Sequence, residues 1–411
     1  MSVDLVVPSK GTVEVADLTA MLGSPAGIAR PFSEDRVALA AALSQRVRAD
    51  RALKRDPASV AFSYWLRPSA VRAMSSRFTA EQAPGVLRAP SGVVFQLAPA
   101  NVATMFAYAW ALSFLLGNVT VTKLSGRLPE QGWALAGAIE ELLREADFSH
   151  LQASTFMVRY EHDHDTTAAI SARCDRRMVW GGDGTVSAVR LAPLPPRATE
   201  VTFADRFSFM LVDATAYLAL GAEQQRKAAR AAFNDIYWFD QNACSSPRAV
   251  VWRGNAAEAA AASRIFYPCL EQEIRSAAHV TSAGAYMTKL ADVYSHLADT
   301  TGAKLWRSSN ELLVVDLPVG AALPRDCLGL GTIYNTRVER LEDLPDMVER
   351  RDQTVSHLGF TIDELMGVAQ LLQSRGVDRL VPVGQALSFG RYWDGYDLFQ
   401  SLTRTVEVRT S

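Results

Sequence analysis

No charged residue occurs between Ala89 and Thr122. A stretch of that length and polarity belongs either in a bilayer or in a core covered on every side. Pro90, Gly92, Pro99, Asn101, Gly117 and Asn118 break it into pieces too short to span a membrane. The pieces predict a buried strand over Val93 to Leu97, a loop over Ala98 to Asn101, a helix over Val102 to Leu116, and a second strand from Val119 to Thr122 reaching Lys123. Strand, helix and strand that are apolar all round form the repeating unit of a parallel sheet with helices on both faces. The stretch therefore predicts an α/β fold and no membrane span.

The flanking sequence extends that unit. Leu128 to Phe148 reads as an amphipathic helix, Ser154 to Tyr160 as a strand, Asp165 to Arg173 as a helix and Arg177 to Trp180 as a strand. Leu191 to Arg197 contains Pro193, Pro195 and Pro196 and reads as a connector. A second alternating region begins near Val201, with strands over Phe207 to Val212, Arg248 to Trp252, Leu312 to Asp316 and Thr354 to Phe360. Its helices are expected over Ala222 to Phe239, Ala256 to Ile274, Ala283 to Ala298, Leu344 to Arg350 and Thr361 to Arg375. The 411 residues suit two or three domains at about 150 residues each. The expected division is a mainly helical segment over 1–80, a cofactor-binding α/β domain over 81–200, a second α/β domain over 201–375 and a C-terminal segment over 376–411.

Composition narrows the partners. Lys+Arg 42 against Asp+Glu 44 leaves a net charge of -2 without a basic block, which excludes a nucleic-acid ligand and favours a small one. Cys174, Cys244, Cys269 and Cys327 are far apart, with no Cys-x-x-Cys pair, the usage of a chain in a reducing cytoplasm. Met1 to Thr19 lacks the charged-then-apolar order of a signal peptide. Glu161-His162-Asp163-His164-Asp165 offers ligand atoms, but histidines two apart in a polar loop are ordinarily solvated, so no metal is expected. Gly329-Leu330-Gly331 lacks the third glycine of a dinucleotide fingerprint and precedes a strand.

Against that background one cysteine stands apart. Cys244 lies in Asp240-Gln241-Asn242-Ala243-Cys244-Ser245-Ser246-Pro247, among small polar residues and not in an apolar run. A free cysteine is usually a small buried hydrophobe. Turn-forming neighbours and nearby backbone N–H groups would instead favour the thiolate, which is the nucleophile. Asn101 either caps the helix behind it or donates from its side-chain amide into a cleft at the strand's carboxyl end. Lys123, Ser125 and Arg127 follow the second strand, where they either hold a ribose 2′-phosphate or form a solvated basic loop. Gly181, Gly182 and Asp183 follow Trp180 and open a helix at Val186 whose backbone N–H groups could approach a pyrophosphate.

In that order, these stretches resemble the aldehyde dehydrogenase superfamily, and more closely the acyl-CoA reductases of the bioluminescence fatty-acid reductase type. The likeness rests on Ala98-Pro99-Ala100-Asn101-Val102, Gly117-Asn118 through Lys123, Trp180-Gly181-Gly182, the segment from Asp240 to Pro247, Asp352-Gln353-Thr354-Val355 and Trp393-Asp394-Gly395-Tyr396-Asp397-Leu398. The resemblance implies two Rossmann-type α/β domains with parallel sheets, an interdomain active-site cleft, NADPH as cofactor and a homo-oligomer. It implies that Cys244 carries the acyl group, that Asn101 and the Cys244 N–H form an oxyanion hole, and that Pro99, Lys123, Ser125, Arg127, Gly181, Gly182 and Asp183 line the cofactor site. The substrate it implies is an acyl-CoA or an acyl carrier protein thioester, reduced to an aldehyde. Aldehyde oxidisers keep a glutamate in a Glu-Leu-Gly-Gly-like stretch to activate water. The matching stretch here is Glu200-Val201-Thr202-Phe203, without the glycines, which favours thioester reduction. The two alternatives are NAD(P)-dependent oxidation of an aldehyde and a non-catalytic acyl-binding subunit.

Overall fold

A computed structural model describes residues 1–23 and 25–410. The chain divides into two compact units, the first comprising Met1–Ala204 and Tyr396–Ser411 and the second Asp205–Gly395. The boundaries fall at Ala204/Asp205 and Gly395/Tyr396, against the expected 200/201 and 375/376.

The first unit is built on a seven-stranded sheet. Its strands are β1 (Ser2–Val7), β2 (Gly11–Glu14), β4 (Val93–Leu97), β5 (Val119–Lys123), β6 (Thr155–Arg159), β7 (Arg176–Trp180) and β8 (Thr199–Phe203), while β3 (Val86–Pro90) lies outside it. The order is β2-β1-β6-β5-β4-β7-β8. The five strands from β6 to β8 are parallel, and β1 runs antiparallel to both β2 and β6. From β4 the chain moves outward through β5 and β6, then returns to place β7 on the other side of β4. That reversal of winding opens a crevice at the carboxyl ends of neighbouring parallel strands, where such sheets bind ligands.

The charge-free stretch occupies the centre of this unit. All five residues of β4 are buried, and Met105–Leu115 forms a helix with ten buried residues. Trp110 stacks on Phe114 with ring centroids 5.1 Å apart and donates from Nε1 to Thr155 Oγ1 at 3.1 Å, so the one polar atom of a fully buried ring is satisfied. Gly117 ends the helix with φ +90, and a Cβ there would lie 2.1 Å from the Ala29 carbonyl oxygen. Among the described residues, no helix is long and apolar enough to cross a membrane.

The second unit repeats the plan. Its strands are β9 (Phe207–Asp213), β10 (Ala249–Arg253), β11 (Lys304–Ser308), β12 (Leu313–Asp316), β13 (Thr332–Val338), β14 (Asp352–Leu358) and β15 (Arg379–Pro382), in the order β11-β12-β13-β10-β9-β14-β15. All neighbours are parallel except the edge pair β11 and β12. One core lies under the helices Ala222–Tyr237 and Ala256–Ser276, around Trp252, Phe266 and Tyr267. The other gathers Phe209, Leu211, Val251, Val315 and Val355. Beyond β15 the second unit adds the short β16 (Tyr392–Trp393), while β17 (Tyr396–Asp397) and β18 (Thr403–Glu407) belong to the first unit, where β18 pairs antiparallel with β3.

The N-terminal part, expected to be mainly helical, is helical from Val15 on and begins with the two strands that border the first sheet. Two of the local expectations need correction. The helix expected from Val102 starts at Met105 with Thr104 at its N-cap, so Asn101 does not cap it. The helix expected over Leu344 to Arg350 is a 3-10 turn over Leu341–Asp346, because Pro345 cannot donate to a continuing helical ladder. Glu200 lies within β8 of the first sheet.

Candidate active site

In the first unit, the predicted cofactor residues lie on loops after adjacent parallel strands. Pro99 and Asn101 follow β4, Lys123 ends β5, and Gly181, Gly182 and Asp183 follow β7. Pro99 is half-buried and Asn101 exposed. Gly182 is the N-cap of the helix Asp183–Arg190, and a Cβ on Gly181 would lie 3.0 Å from Thr185 Cγ2. The backbone there can approach a ligand more closely than a larger residue would permit. The Lys123 ammonium lies 4.4 Å from the centroid of the Tyr160 ring. Burial lowers its pKa, against which the carboxylates of Glu161 and Asp163 act. Ser125 Oγ accepts from the Arg127 N–H at 3.2 Å and so shapes the turn that leaves the Arg127 side chain exposed. The polar loop first considered for a metal serves the backbone instead: Asp163 caps the helix His164–Ser171, accepting from the Asp165 N–H at 3.1 Å. Among the described residues, no group of three or more His, Cys, Asp or Glu is arranged to hold a metal ion.

Glu200 is not available as a base. Its Oε2 accepts from Arg177 Nε at 2.7 Å and its Oε1 from Arg190 Nε at 2.8 Å. A carboxylate with one guanidinium on each oxygen is a structural tie between strand and helix.

In the second unit, the helix Ala222–Tyr237 delivers the chain to the cysteine segment at the amino ends of β9, β10, β13 and β14. Asp240 and Gln241 have φ of 47° and 57°, a left-handed pair that turns the chain sharply back toward β10. Gln241 fixes that turn. Its fully buried side chain donates from Nε2 to the Pro247 and Thr332 carbonyls, both at 2.9 Å, and accepts from the Gly331 N–H at 2.7 Å. Arg248 Nη2 donates to the Gln241 carbonyl at 3.2 Å. Gln241 thus closes the loop across its base. Replacing it by leucine strips three partners from buried polar groups, each costing about 1–3 kcal/mol. Thermal unfolding of Gln241→Leu should therefore show a loss of about 3 kcal/mol or more; unchanged stability would refute the clamp.

Inside this loop Ala243, Ser245, Ser246 and Pro247 are buried while Cys244 is half-buried. Ser208 Oγ donates to the Cys244 carbonyl at 2.7 Å and accepts from the Thr354 N–H at 3.2 Å. The cysteine is therefore held through its backbone, and its side chain takes no part in holding the loop. The electrostatics differ from the expectation that polar neighbours would favour the thiolate. Burial pushes the Cys244 thiol up to about 12, the Asp394 carboxylate adds to that, and the Arg379 and Arg206 guanidiniums oppose it.

Those three residues form a group with Gln353; Gln353 and Asp394 lie in stretches that carry the family resemblance but had no role assigned, and Arg206 and Arg379 were not singled out. Gln353 donates from Nε2 to Asp394 Oδ1. Arg206 Nε lies 3.8 Å from Asp394 Oδ2 and its Nη1 the same distance from Asp378 Oδ2. The Arg379 guanidinium lies 4.4 Å from the Trp393 ring centroid and donates to the carbonyls of Ala386 at 3.2 Å and Ser388 at 3.1 Å. The available signal was Asp394-Gly395, a dipeptide typical of turns with two positive φ values; here they are 49° and 77°.

Comparison with known proteins matches this chain to the acyl-CoA reductase (LuxC) family over residues 71–405. A long-chain acyl-protein thioester reductase from Photorhabdus laumondii is 25% identical over 334 residues, covering 77% of this chain and 63% of that protein. This chain thus spans less than two thirds of the relative's length. Among solved structures, aldehyde dehydrogenase 21 from Physcomitrella patens, in complex with succinate, superposes with a TM-score of 0.66 at 12% identity, covering 96% of this chain and 90% of that one. Aldehyde dehydrogenase C from Pseudomonas syringae, complexed with NAD+ and octanal, gives 0.63 at 13% identity over 99% and 93%. These likenesses give the fold as that of the aldehyde dehydrogenases, with two largely parallel sheets. With most of its length matched, the chain belongs to the acyl-CoA reductase family.

Proposed function

We propose that this protein reduces an acyl thioester, presented on coenzyme A or a carrier protein, to an aldehyde, with Cys244 as the acyl carrier and NADPH as the reductant. The observation that supports this reading most is the pairing of a half-buried cysteine on a rigid loop with a Glu200 whose two oxygens are committed to Arg177 and Arg190. A thiol can accept the acyl group, and Glu200 is not free to activate water for its hydrolysis.

The loops after β4, β5 and β7 fit a dinucleotide, because they flank the reversal in strand order and combine a crowded glycine with a lysine at a strand's end. Gly181 to Asp183 would lie by the pyrophosphate, with Pro99 beside the same crevice, and Lys123, Ser125 and Arg127 would hold the ribose and its 2′-phosphate. Bound there, NADPH supplies a hydride. The protein's own share begins with the Cys244 sulfur, which attacks the thioester carbonyl as the donor thiol departs. The Cys244 N–H and the Asn101 amide are the proposed donors to the oxyanion. The aldehyde then leaves and the sulfur regains its proton.

The deciding experiment incubates the protein with NADPH and a panel of acyl-CoAs, following loss of NADPH absorbance and identifying the product by mass spectrometry. Aldehyde formation is the expected result. Reduction of NADP+ by free aldehyde without any thiol, and no aldehyde from thioesters, would refute the reading. Lys123→Ala should raise KM for NADPH about tenfold or more, the loss of one charge-assisted phosphate contact, with kcat little changed. Because Glu161 and Asp163 stand by Lys123, the same variant should lose most of any preference for NADPH over NADH; an unaltered preference would remove Lys123 from the 2′-phosphate site.

A further inference from the structure

The second sheet has two poles, and the cysteine segment occupies the amino one. At the other pole the carboxyl ends of β10, β12 and β13 and the helix Ala256–Ser276 surround a cavity of about 390 Å³. Small-molecule sites have volumes of about 300–1,000 Å³. The space exists because the helix lines it with Ala256, Ala259, Ala260 and Ser263, small side chains at the spacing of one helical face. Carboxyl ends of parallel strands are where such sheets take ligands, and no step proposed for Cys244 uses this pole.

The cavity wall is organised around one carboxylate. Trp252 Nε1 and Tyr267 Oη, on fully buried rings, each donate to Asn335 Oδ1 at 2.8 Å. With its oxygen so engaged, Asn335 donates from Nδ2 to Asp316 Oδ1 at 2.6 Å. No hydrogen bond among the described residues reaches Asp316 Oδ2. Burial raises the pKa of this carboxyl, against the hydrogen bond from Asn335 and the charge of Lys304. Three side chains thus serve to present a half-buried acceptor at the end of β12. Ser263 Oγ, on the helix side, is buried without a hydrogen-bond partner, an uncommon state for a hydroxyl in a native protein.

The remaining lining is basic and aromatic. Arg264 is exposed and joins no hydrogen bond or ion pair among the described residues, and Arg337 lines the same cavity. Trp306 is exposed on β11, its ring held edge-on to Tyr267 with centroids 5.4 Å apart. A carboxylate accepts from N–H donors, guanidiniums donate to phosphate oxygens, and an indole stacks on a planar base. A nucleotide meets all three demands in one molecule.

We propose that this cavity binds a guanine nucleotide, with the base edge on Asp316, the ring stacked on Trp306 and the phosphate on Arg264 and Arg337. Guanine carries two adjacent donors, its ring N–H and its amino group, which suit a single carboxylate. Adenine sets one amino group beside an acceptor nitrogen that a carboxylate repels. The site is separate from the chemistry at Cys244, and the proposal stands whether or not the thioester reaction does.

The test is titration of the full-length protein with guanosine 5′-monophosphate, read by calorimetry and by tryptophan fluorescence. Saturable binding at one site is expected. Arg264→Ala should weaken it about tenfold, the loss of one charge-assisted phosphate contact. Trp306→Ala should weaken it by about the same factor or more, the loss of one stacked base. Asp316→Asn should abolish a preference of about tenfold for guanosine over adenosine 5′-monophosphate. Arg264 and Trp306 are exposed, so their variants should melt at the unaltered temperature and decide the matter even if Asp316→Asn does not fold. Binding unchanged in both would overturn the proposal, as it would place the nucleotide elsewhere. Adenosine 5′-monophosphate or inorganic phosphate binding as tightly as the guanine nucleotide would also overturn it, as would no saturation by about 1 mM.

Discussion

Cys244→Ala should form no aldehyde from any acyl thioester. Deleting the nucleophile of a protease costs about 10⁶ in kcat, and the loss here should be at least about 10³-fold, down to the background of the assay. Total loss is informative only if the variant is intact, and the structure supports that it will be. Among the described residues, the loop is held by backbone atoms, the Gln241 amide, the Arg248 guanidinium, Ser208 Oγ and the Asp240–His279 pair, and none of these bonds uses the sulfur. A half-buried side chain free of such bonds costs about 1 kcal/mol or less when shortened by one atom. Thermal unfolding and the fluorescence change on NADPH addition should therefore match the unaltered protein. Measurable turnover by this variant would dismiss Cys244 as the acyl carrier.

Asn101→Ala should retain activity but at a rate lower by about 10² to 10³, the cost of one oxyanion donor. The corrected start of the following helix makes this a clean measurement. Had Asn101 been the N-cap, its replacement would cost about 0.5–2 kcal/mol of stability as well. With Thr104 at the cap and Asn101 exposed, the effect should appear in kcat with little change in melting temperature or in KM for NADPH. A fall in stability with kcat preserved would show that the amide serves the loop and not the oxyanion.

The parts of the protein that could be read from its sequence are those whose chemistry is local. The strands β4 and β5, with the helix separating them, announced themselves by having no charge over the whole stretch, since only complete burial explains it. Cys244 stood out because its neighbours were wrong for a core. The misses came from long-range effects. Glu200 could be placed only once β8 was seen beside β7, bringing Arg177 alongside it. The thiol was expected to ionise easily because its sequence neighbours are small and polar, yet what sets its charge state is burial together with Asp394, Arg379 and Arg206, residues far from it along the chain. No periodicity encodes such a meeting. Asp394-Gly395 was legible as a turn, but that its carboxylate points inward was not.

The border of the first sheet has a practical meaning for anyone handling this protein. Ser2–Val7 lies between Gly11–Glu14 and Thr155–Arg159, so trimming the start of the chain, or forcing a bulky fusion onto it, strips the outer neighbour from Thr155–Arg159. A bare strand of that kind recruits other chains. A shortened form that precipitates would therefore be reporting an uncovered ribbon, and its inactivity would say nothing about the chemistry at the cysteine.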